Sequence, residues 1–221
     1  MRRSSRPRRN PGPLDSPAFK RWFGDSKVVD ENGDPLVVYH GGAKVTVFRP
    51  SEYGGIGAGI YTTLSRSYAS QYAHGPGSKV TSFYARVEHP LLVFVGSGSA
   101  ERSLVDALGP GVIDVMRRDA KYEHRGHEVQ YGVGVERMIR DAGYDGIFVM
   151  KGNERDLLDE PYSRGWIGKI DEIVVFEPTQ LKSSKSNSGA YDPSDPDITR
   201  NRRSSKRTSK RTSKRTSRRR R

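Results

Sequence analysis

The 221-residue sequence predicts an α+β domain built around two small sheets with short flanking helices. Two observations carry this. Apolar, β-branched runs of four to nine residues recur along the chain, bounded by glycine, proline and asparagine. The helical patterns between them are short and few. A third observation bounds the domain. Mean hydropathy is −0.77 and hydrophobic content 33%, low for a folded chain of this length. The ends account for much of that. Residues 1–9 hold five arginines and residues 200–221 thirteen lysines and arginines, with no acid in either stretch. That leaves 21 basic against 26 acidic residues in 10–199, so the body carries about −5 while the whole chain carries +13. The basic character belongs to the arms.

The expected organisation follows: a disordered basic arm over 1–15, a folded domain over 16–184, an extended and loosely attached segment over 185–199, and a disordered tail over 200–221. The tail repeats Lys-Arg-Thr-Ser three times from Lys206 to Ser217 and then runs into four arginines. No cysteine is present, which excludes disulfides, thiolate nucleophiles and cysteine zinc sites. His74, His89, His124 and His127 show no metal-ligand spacing, and no metal site is expected. No apolar run approaches a membrane span, and no apolar stretch follows the N-terminal arginines as a secretory signal would require.

Within the domain, Ser16-Pro17 reads as an N-cap and first helical position, with Phe19, Trp22 and Phe23 on one face. Val28 to Val38 reads as a hairpin around Asn32-Gly33. Leu36-Val37-Val38-Tyr39-His40-Gly41-Gly42 is a buried strand that delivers a histidine to bare backbone. After Val45–Phe48, residues 49–59 hold glycines at 54, 55, 57 and 59. They lack the Gly-Lys-Ser/Thr of a phosphate-gripping loop and read as a mobile loop at a site edge. Gly59–Thr63 is a short strand, and Ser65–Ala73 a capped helix. Lys79–Val87 and Leu91–Val95 are strands. Glu101–Leu108 is a helix stopped by Gly109-Pro110, and Val112–Met116 another short element. Val129–Ala142 is expected to be a helix, Gly146–Met150 a strand, 151–164 a loop and Ile170–Phe176 a strand. Beyond Pro178, Gln180–Ser183 extends the chain.

Three polar residues then stand at or beside strand ends: His40 before Gly41, Tyr61 after Gly59-Ile60, and Glu172 before Ile173–Phe176. Tyr72 follows Tyr61 by eleven residues. Each has a plainer use. A strand-end histidine can be packing, Tyr68 and Tyr72 can pack their helix, Tyr61 can be a core tyrosine, and Glu172, flanked by Asp171 and Glu177, can be a solvated edge.

Taken in order, Tyr39-His40-Gly41, Gly59-Ile60-Tyr61 with Tyr72, and Asp171–Phe176 resemble the His-Tyr-Glu motifs of ADP-ribosyltransferases, in the branch of diphtheria toxin and the poly(ADP-ribose) polymerases. Trp22–Asp30, Gly143–Ile147 and Phe176–Ser183 extend the resemblance to the domain of phage and prophage polyvalent proteins, over about residues 17–198. The resemblance implies a split β-sandwich and NAD as substrate. It implies Glu172 as the catalytic carboxylate, and His40, Gly41, Tyr61 and Tyr72 as NAD-binding residues. The chemistry suits these residue types. Breaking the nicotinamide glycosidic bond makes the ribose cationic, and a preorganised carboxylate there is worth ~3–4 kcal/mol in the transition state. Aromatic walls suit a flat nicotinamide, each worth ~1–3 kcal/mol by analogy with base stacking. Gly41 offers backbone to the carboxamide, and His40 a hydrogen bond to the adenine-side ribose.

Three positions depart from the family pattern. Ala69 stands where a serine often helps hold the carboxamide, and Ser67 or Ser70 are the candidate substitutes. Gly42 replaces a Thr or Ser after His-Gly. Ile170, two residues before Glu172, replaces the Glu or Gln of the arginine- and asparagine-directed branch. The resemblance therefore implies transfer from NAD to a macromolecular acceptor other than arginine, and, since nothing resembles the accessory domains of chain-elongating polymerases, transfer of single ADP-ribose units. The basic tails suggest non-specific attachment to nucleic acid or nucleic-acid-bound proteins, in the cytoplasm of a host cell or with a virion. Two alternatives stay open: a non-enzymatic DNA- or RNA-binding virion or nucleoid protein on a degenerate transferase fold, and an NAD glycohydrolase toxin.

Overall fold

The computed structural model describes residues 13–96, 99–122, 129–152 and 167–199. The basic tail, most of the N-terminal arm, His124, His127 and most of the expected 151–164 loop lie outside the described residues. Nine strands and five α-helices follow one another along the described chain: α1 (Pro17–Phe23), β1 (Val37–Ala43), β2 (Ile60–Thr62), α2 (Arg66–Ser70), β3 (Ser78–Ala85), β4 (Pro90–Phe94), α3 (Ser99–Leu108), α4 (Val112–Asp119), β5 (Lys121–Tyr122), β6 (Val129–Gln130), α5 (Val133–Asp141), β7 (Gly146–Met150), β8 (Ile170–Val175) and β9 (Leu181–Ser183). None of these helices is long and apolar enough to cross a membrane.

Two sheets carry the domain. One has three strands in the order β1-β3-β9, and the other four in the order β2-β8-β7-β4. All pairings are antiparallel except β4 with β7. The expected α+β class with an ADP-ribosyltransferase-like split β-sandwich is therefore the observed one. Val38 and Phe83 of the first sheet meet Phe148, Ile173 and Val175 of the second in one buried cluster. The other face of the four-stranded sheet is covered by α3, α4 and α5 through Leu104, Val112, Met116, Val135 and Ile139. Because this sheet is buried on both faces, β7 is apolar at every position after its glycine and buried throughout.

Local signals account for most ends. Ser16 caps α1 by accepting from the Phe19 N–H, and Pro17 opens the helix. Trp22 and Phe19 bury on Tyr191, and the Trp22 indole N–H donates to the Thr179 carbonyl at 3.0 Å. The 28–38 hairpin forms around Gly33, where φ is +83°. The Asp30 carboxylate accepts from the Asn32 and Asp34 N–H groups, and those bonds hold its pKa below the usual range.

Two expectations need correction. The helix expected over 129–142 begins only at Val133. Val129 and Gln130 pair with β5, and Tyr131 makes a two-bond bridge to Gly54, so tertiary pairing takes those residues from the helix. The 185–199 segment is not loosely attached. Tyr191 and Ile198 are each 2% exposed, and the Ile198 N–H donates to Thr46. Lys182 is buried and donates its ammonium to the Asp195 carbonyl, while desolvation pulls its pKa down. The Ser/Asn/Gly/Asp/Pro composition described the backbone turns. It did not reveal that two apolar side chains seven residues apart would anchor them, each contributing ~1.5–3 kcal/mol of burial.

Candidate active site

The cavity forms where the two sheets part. Tyr39 exchanges both backbone hydrogen bonds with Thr63, N–H to O at 2.8 Å and O to N–H at 3.0 Å. Antiparallel alternation then points the backbone groups of Tyr39, and those of Gly41 two residues on, away from β3. If this pairing continued, Gly41 would face Tyr61. Instead the Tyr61 carbonyl accepts from His40 Nδ1 at 2.8 Å. His40 thus takes the acceptor that would have closed the sheet, and the Gly41 N–H and C=O face the gap. Because a carbonyl can only accept, Nδ1 carries a proton, and in the neutral ring Nε2 is left as the acceptor. Phe48 lies edge-on to the imidazole at 5.0 Å between centroids and fixes its plane.

Gly41 is required by close approach. A Cβ there would stand 1.8 Å from the Ala69 carbonyl oxygen and 3.1 Å from the Ala73 nitrogen. The helix α2 therefore sits directly on the bare backbone. At Gly42 a Cβ would come 3.1 Å from His40 Nε2, so the missing Thr or Ser leaves room around that nitrogen. The alanine at 69 is buried at this contact. The expected substitutes, Ser67 and Ser70, do not line the cavity. Ser67 Oγ bonds Ser65 Oγ at 2.9 Å and Ser70 Oγ donates to the Ser67 carbonyl at 2.6 Å, both on the exposed side of α2.

The residue of α2 to which the sequence reading gave only a helix-packing role is Tyr68. It lines the cavity with Tyr72, the two hydroxyls 3.0 Å apart and the rings T-shaped at 5.5 Å. The hydrogen bond to Tyr72, burial and the nearby Glu172 carboxylate all push the Tyr68 phenol up. Tyr72 is the open member of the pair, at 56% exposed. Their i, i+4 spacing on a capped helix was the available signal.

Tyr61 also lines the cavity. Its hydroxyl donates to the Gly57 carbonyl at 2.7 Å and accepts from the Ile56 N–H at 3.1 Å. Burial pushes this phenol up as well. A Cβ at Gly54 would strike the Tyr61 ring and hydroxyl at 2.2–2.4 Å. The glycine loop does border the cavity, as expected, but it is packed rather than loose: Ile56 and Ala58 are buried, and Ser51 bridges Gly59.

Glu172 lies on β8 opposite Val149. The next pair is Met150 with Ile170, so Asp171 is an extra residue in a β-bulge beside the glutamate, a common device for re-aiming a side chain at a site. Asp171 pairs with Lys151 at 2.9 Å. Ile170, on the other side of the bulge, lies in the sandwich core at 8% exposure. Thr62 Oγ1 donates to the Ile173 carbonyl and Thr63 Oγ1 to the Asp171 carbonyl, each at 2.8 Å.

All five residues singled out from the sequence, His40, Gly41, Tyr61, Tyr72 and Glu172, line one cavity of about 460 Å³, together with Tyr68, Thr62, Thr63 and the loop glycines 54 and 55. That volume lies in the range of small-molecule and cofactor pockets. Tyrosine rings, the peptide groups of Gly41, an imidazole acceptor and a carboxylate can together hold a flat amide-bearing ring and stabilise a developing cation next to it.

The fold is that of the ADP-ribosyltransferase class. The chain belongs to the family of ADP-ribosyltransferases in polyvalent proteins, whose model matches residues 30–191. No curated protein matches the chain. Among solved structures, the crystal structure of an anti-CRISPR protein aligns with 66% of this chain and 91% of its own, at 12% identity and a TM-score of 0.28, too low to bear on fold or function.

Proposed function

We propose that the protein is a mono-ADP-ribosyltransferase that uses NAD, releases nicotinamide and modifies a macromolecular acceptor. The observation that carries this reading is that four separate segments, β1, β2, the turn after α2 and β8, bring His40, Gly41, Tyr61, Tyr72 and Glu172 to one cavity. In this reading the nicotinamide ring lies between Tyr61 and Tyr72, its carboxamide on the N–H and C=O of Gly41. His40 Nε2 accepts from the adenine-side ribose. Glu172 sits by the nicotinamide ribose. When the C1′–N bond breaks, nicotinamide leaves with the bonding electron pair and the ribose becomes oxocarbenium-like. The Glu172 carboxylate stabilises that charge, and an acceptor nucleophile then bonds C1′ and gives up its proton. With Ile170 in the core, no second carboxylate or amide stands two residues before Glu172 to prepare an arginine. The basic tail, through residues 200–221, tethers the enzyme to nucleic acid or nucleic-acid-bound proteins in the host cytoplasm or virion. Its binding should weaken with salt by a slope of about −0.9 per phosphate neutralised.

The test is incubation with labelled NAD, host extract and DNA or RNA. Glu172→Gln should lower nicotinamide release about 10²–10³-fold while NAD still binds. Release and labelling equal to wild type in that variant would sink the proposal. Nicotinamide release with no labelled acceptor would favour a glycohydrolase. Salt-sensitive DNA retention with no NAD binding would favour a non-enzymatic nucleic-acid protein. Removing 200–221 should reduce acceptor labelling and leave NAD hydrolysis in place.

A further inference from the structure

The strand β2 changes sheets in the middle of the site. Ile60, Tyr61 and Thr62 pair with Val175, Val174 and Ile173 of β8, but the next residue, Thr63, pairs its backbone with Tyr39 of β1. The backbone of β2 therefore leaves β8 at the position that would have faced Glu172. On the other side, the bulge at Asp171 interrupts the ladder with β7. A strand carrying a functional glutamate would be loosely held there. Two side chains make up the loss. Thr62 Oγ1 donates to the carbonyl of Ile173 and Thr63 Oγ1 to the carbonyl of Asp171, each at 2.8 Å, so the peptide groups on both sides of Glu172 are gripped. Both threonines are buried, at 3% and 5% exposed. The same tripeptide reaches the other wall, through the Tyr61 carbonyl to His40 Nδ1 and through Thr63 to Tyr39.

We infer that Thr62 and Thr63 are positioning residues: their hydroxyls fix the β8 backbone around Glu172 and set its place relative to His40 and Gly41. The inference rests on the reading of Glu172 given above. Valine keeps the shape and strand preference of threonine and removes only the hydroxyl, so it isolates the hydrogen bond. Thr62 is the cleaner position, because the Thr63 hydroxyl also accepts from the Ser65 N–H at the start of α2.

The experiment measures nicotinamide release from NAD by the full chain. Thr62→Val should lower kcat about tenfold with KM for NAD within about twofold, since the carboxylate and not the NAD-holding wall is displaced. Thr62→Ser, which restores the hydroxyl, should recover most of kcat. Should Thr62→Val not fold, Thr63→Val and Thr63→Ser carry the same comparison. There kcat should again fall and recover, with KM rising in the valine variant because α2 loses a tie. The inference is overturned if the valine variants keep wild-type kcat, if kcat falls and serine does not restore it, or if Thr62→Val acts on KM alone. Glu172→Gln separates the two claims. If it is as active as wild type, the functional reading fails. If it is inactive while Thr62→Val and Thr63→Val are unaffected, only the positioning role fails.

Discussion

In the proposed site the β1 wall offers the Gly41 peptide with the His40 imidazole beside it, whereas the β8 wall offers one side chain, Glu172. The two walls are built accordingly. At Gly41 a peptide unit must stay bare and be approached closely, so the residue has no Cβ and the helix α2 lies directly on it. At Glu172, the proposed catalytic carboxylate, the strand bulges and the hydroxyls of Thr62 and Thr63 bond the carbonyls of the residues on either side. A backbone wall fails by obstruction and a side-chain wall by misplacement. Substitutions on the first should therefore act mainly on NAD binding, and on the second mainly on turnover.

The largest departure on the backbone wall is expected from Gly41→Ala. Its Cβ would stand 1.8 Å from the Ala69 oxygen, which is backbone and cannot swing away. Overpacking of this kind costs ~1–3 kcal/mol of stability, readable as a lower melting temperature. The displaced peptide should raise KM for NAD about a hundredfold in nicotinamide-release kinetics. Wild-type NAD affinity would show that Gly41 does not form that wall.

His40→Ala is expected to be milder. It removes the Nδ1 bond to Tyr61 and the Nε2 acceptor but leaves both strands in place. The lost bond is worth ~0.5–1.5 kcal/mol, so KM for NAD should rise about tenfold with kcat much less affected. A fall in kcat with KM unchanged would move His40 to the other side of the comparison.

Tyr61→Phe is expected to have the smallest effect, ~1 kcal/mol of stability, since only the hydroxyl that ties down the glycine loop is lost. Its pH dependence is specific. Burial raises this phenol above its ordinary value of about 10 in the folded state. Tyr61 thus contributes stability that is complete below pH ~10 and is lost as pH climbs through the raised value, because the unfolded tyrosine ionises first. The stability difference between wild type and Tyr61→Phe, followed by denaturant unfolding, should shrink above pH ~10. A difference that stays constant through that range would mean the phenol is not held protonated.

Much of this was legible in the chain. The strand–glycine junction at His40-Gly41, the Ser65 cap of α2, the buried runs at 146–150 and 170–175, and the order of His40, Tyr61, Tyr72 and Glu172 are local patterns, and local patterns report which face or end a residue occupies. What was misread depended on tertiary partners and on which way a helix turns. Val129 and Gln130 carry a helical pattern, but pairing with β5 and the Tyr131–Gly54 bridge claims that stretch. Residues 185–199 have a loop composition, yet Tyr191 buries on Phe19 and Trp22, more than a hundred residues away, and Ile198 enters the sandwich core. Ser67 and Ser70 have the right chemistry to replace the serine missing at 69, but the turn of α2 points Tyr68 into the cavity in their place.

The sequence by itself determined which residue types could do the chemistry and in what order they come, because side-chain identity, glycine and strand periodicity are properties of short stretches. Only the tertiary structure decided that β2 crosses from one sheet to the other at Thr63, that His40 takes the Tyr61 carbonyl and so opens the cavity beside Gly41, and that two threonine hydroxyls flank Glu172. Those are hydrogen bonds between segments 21 to 111 residues apart, and which donor meets which acceptor at that range is set by how two sheets pack, not by any window of sequence.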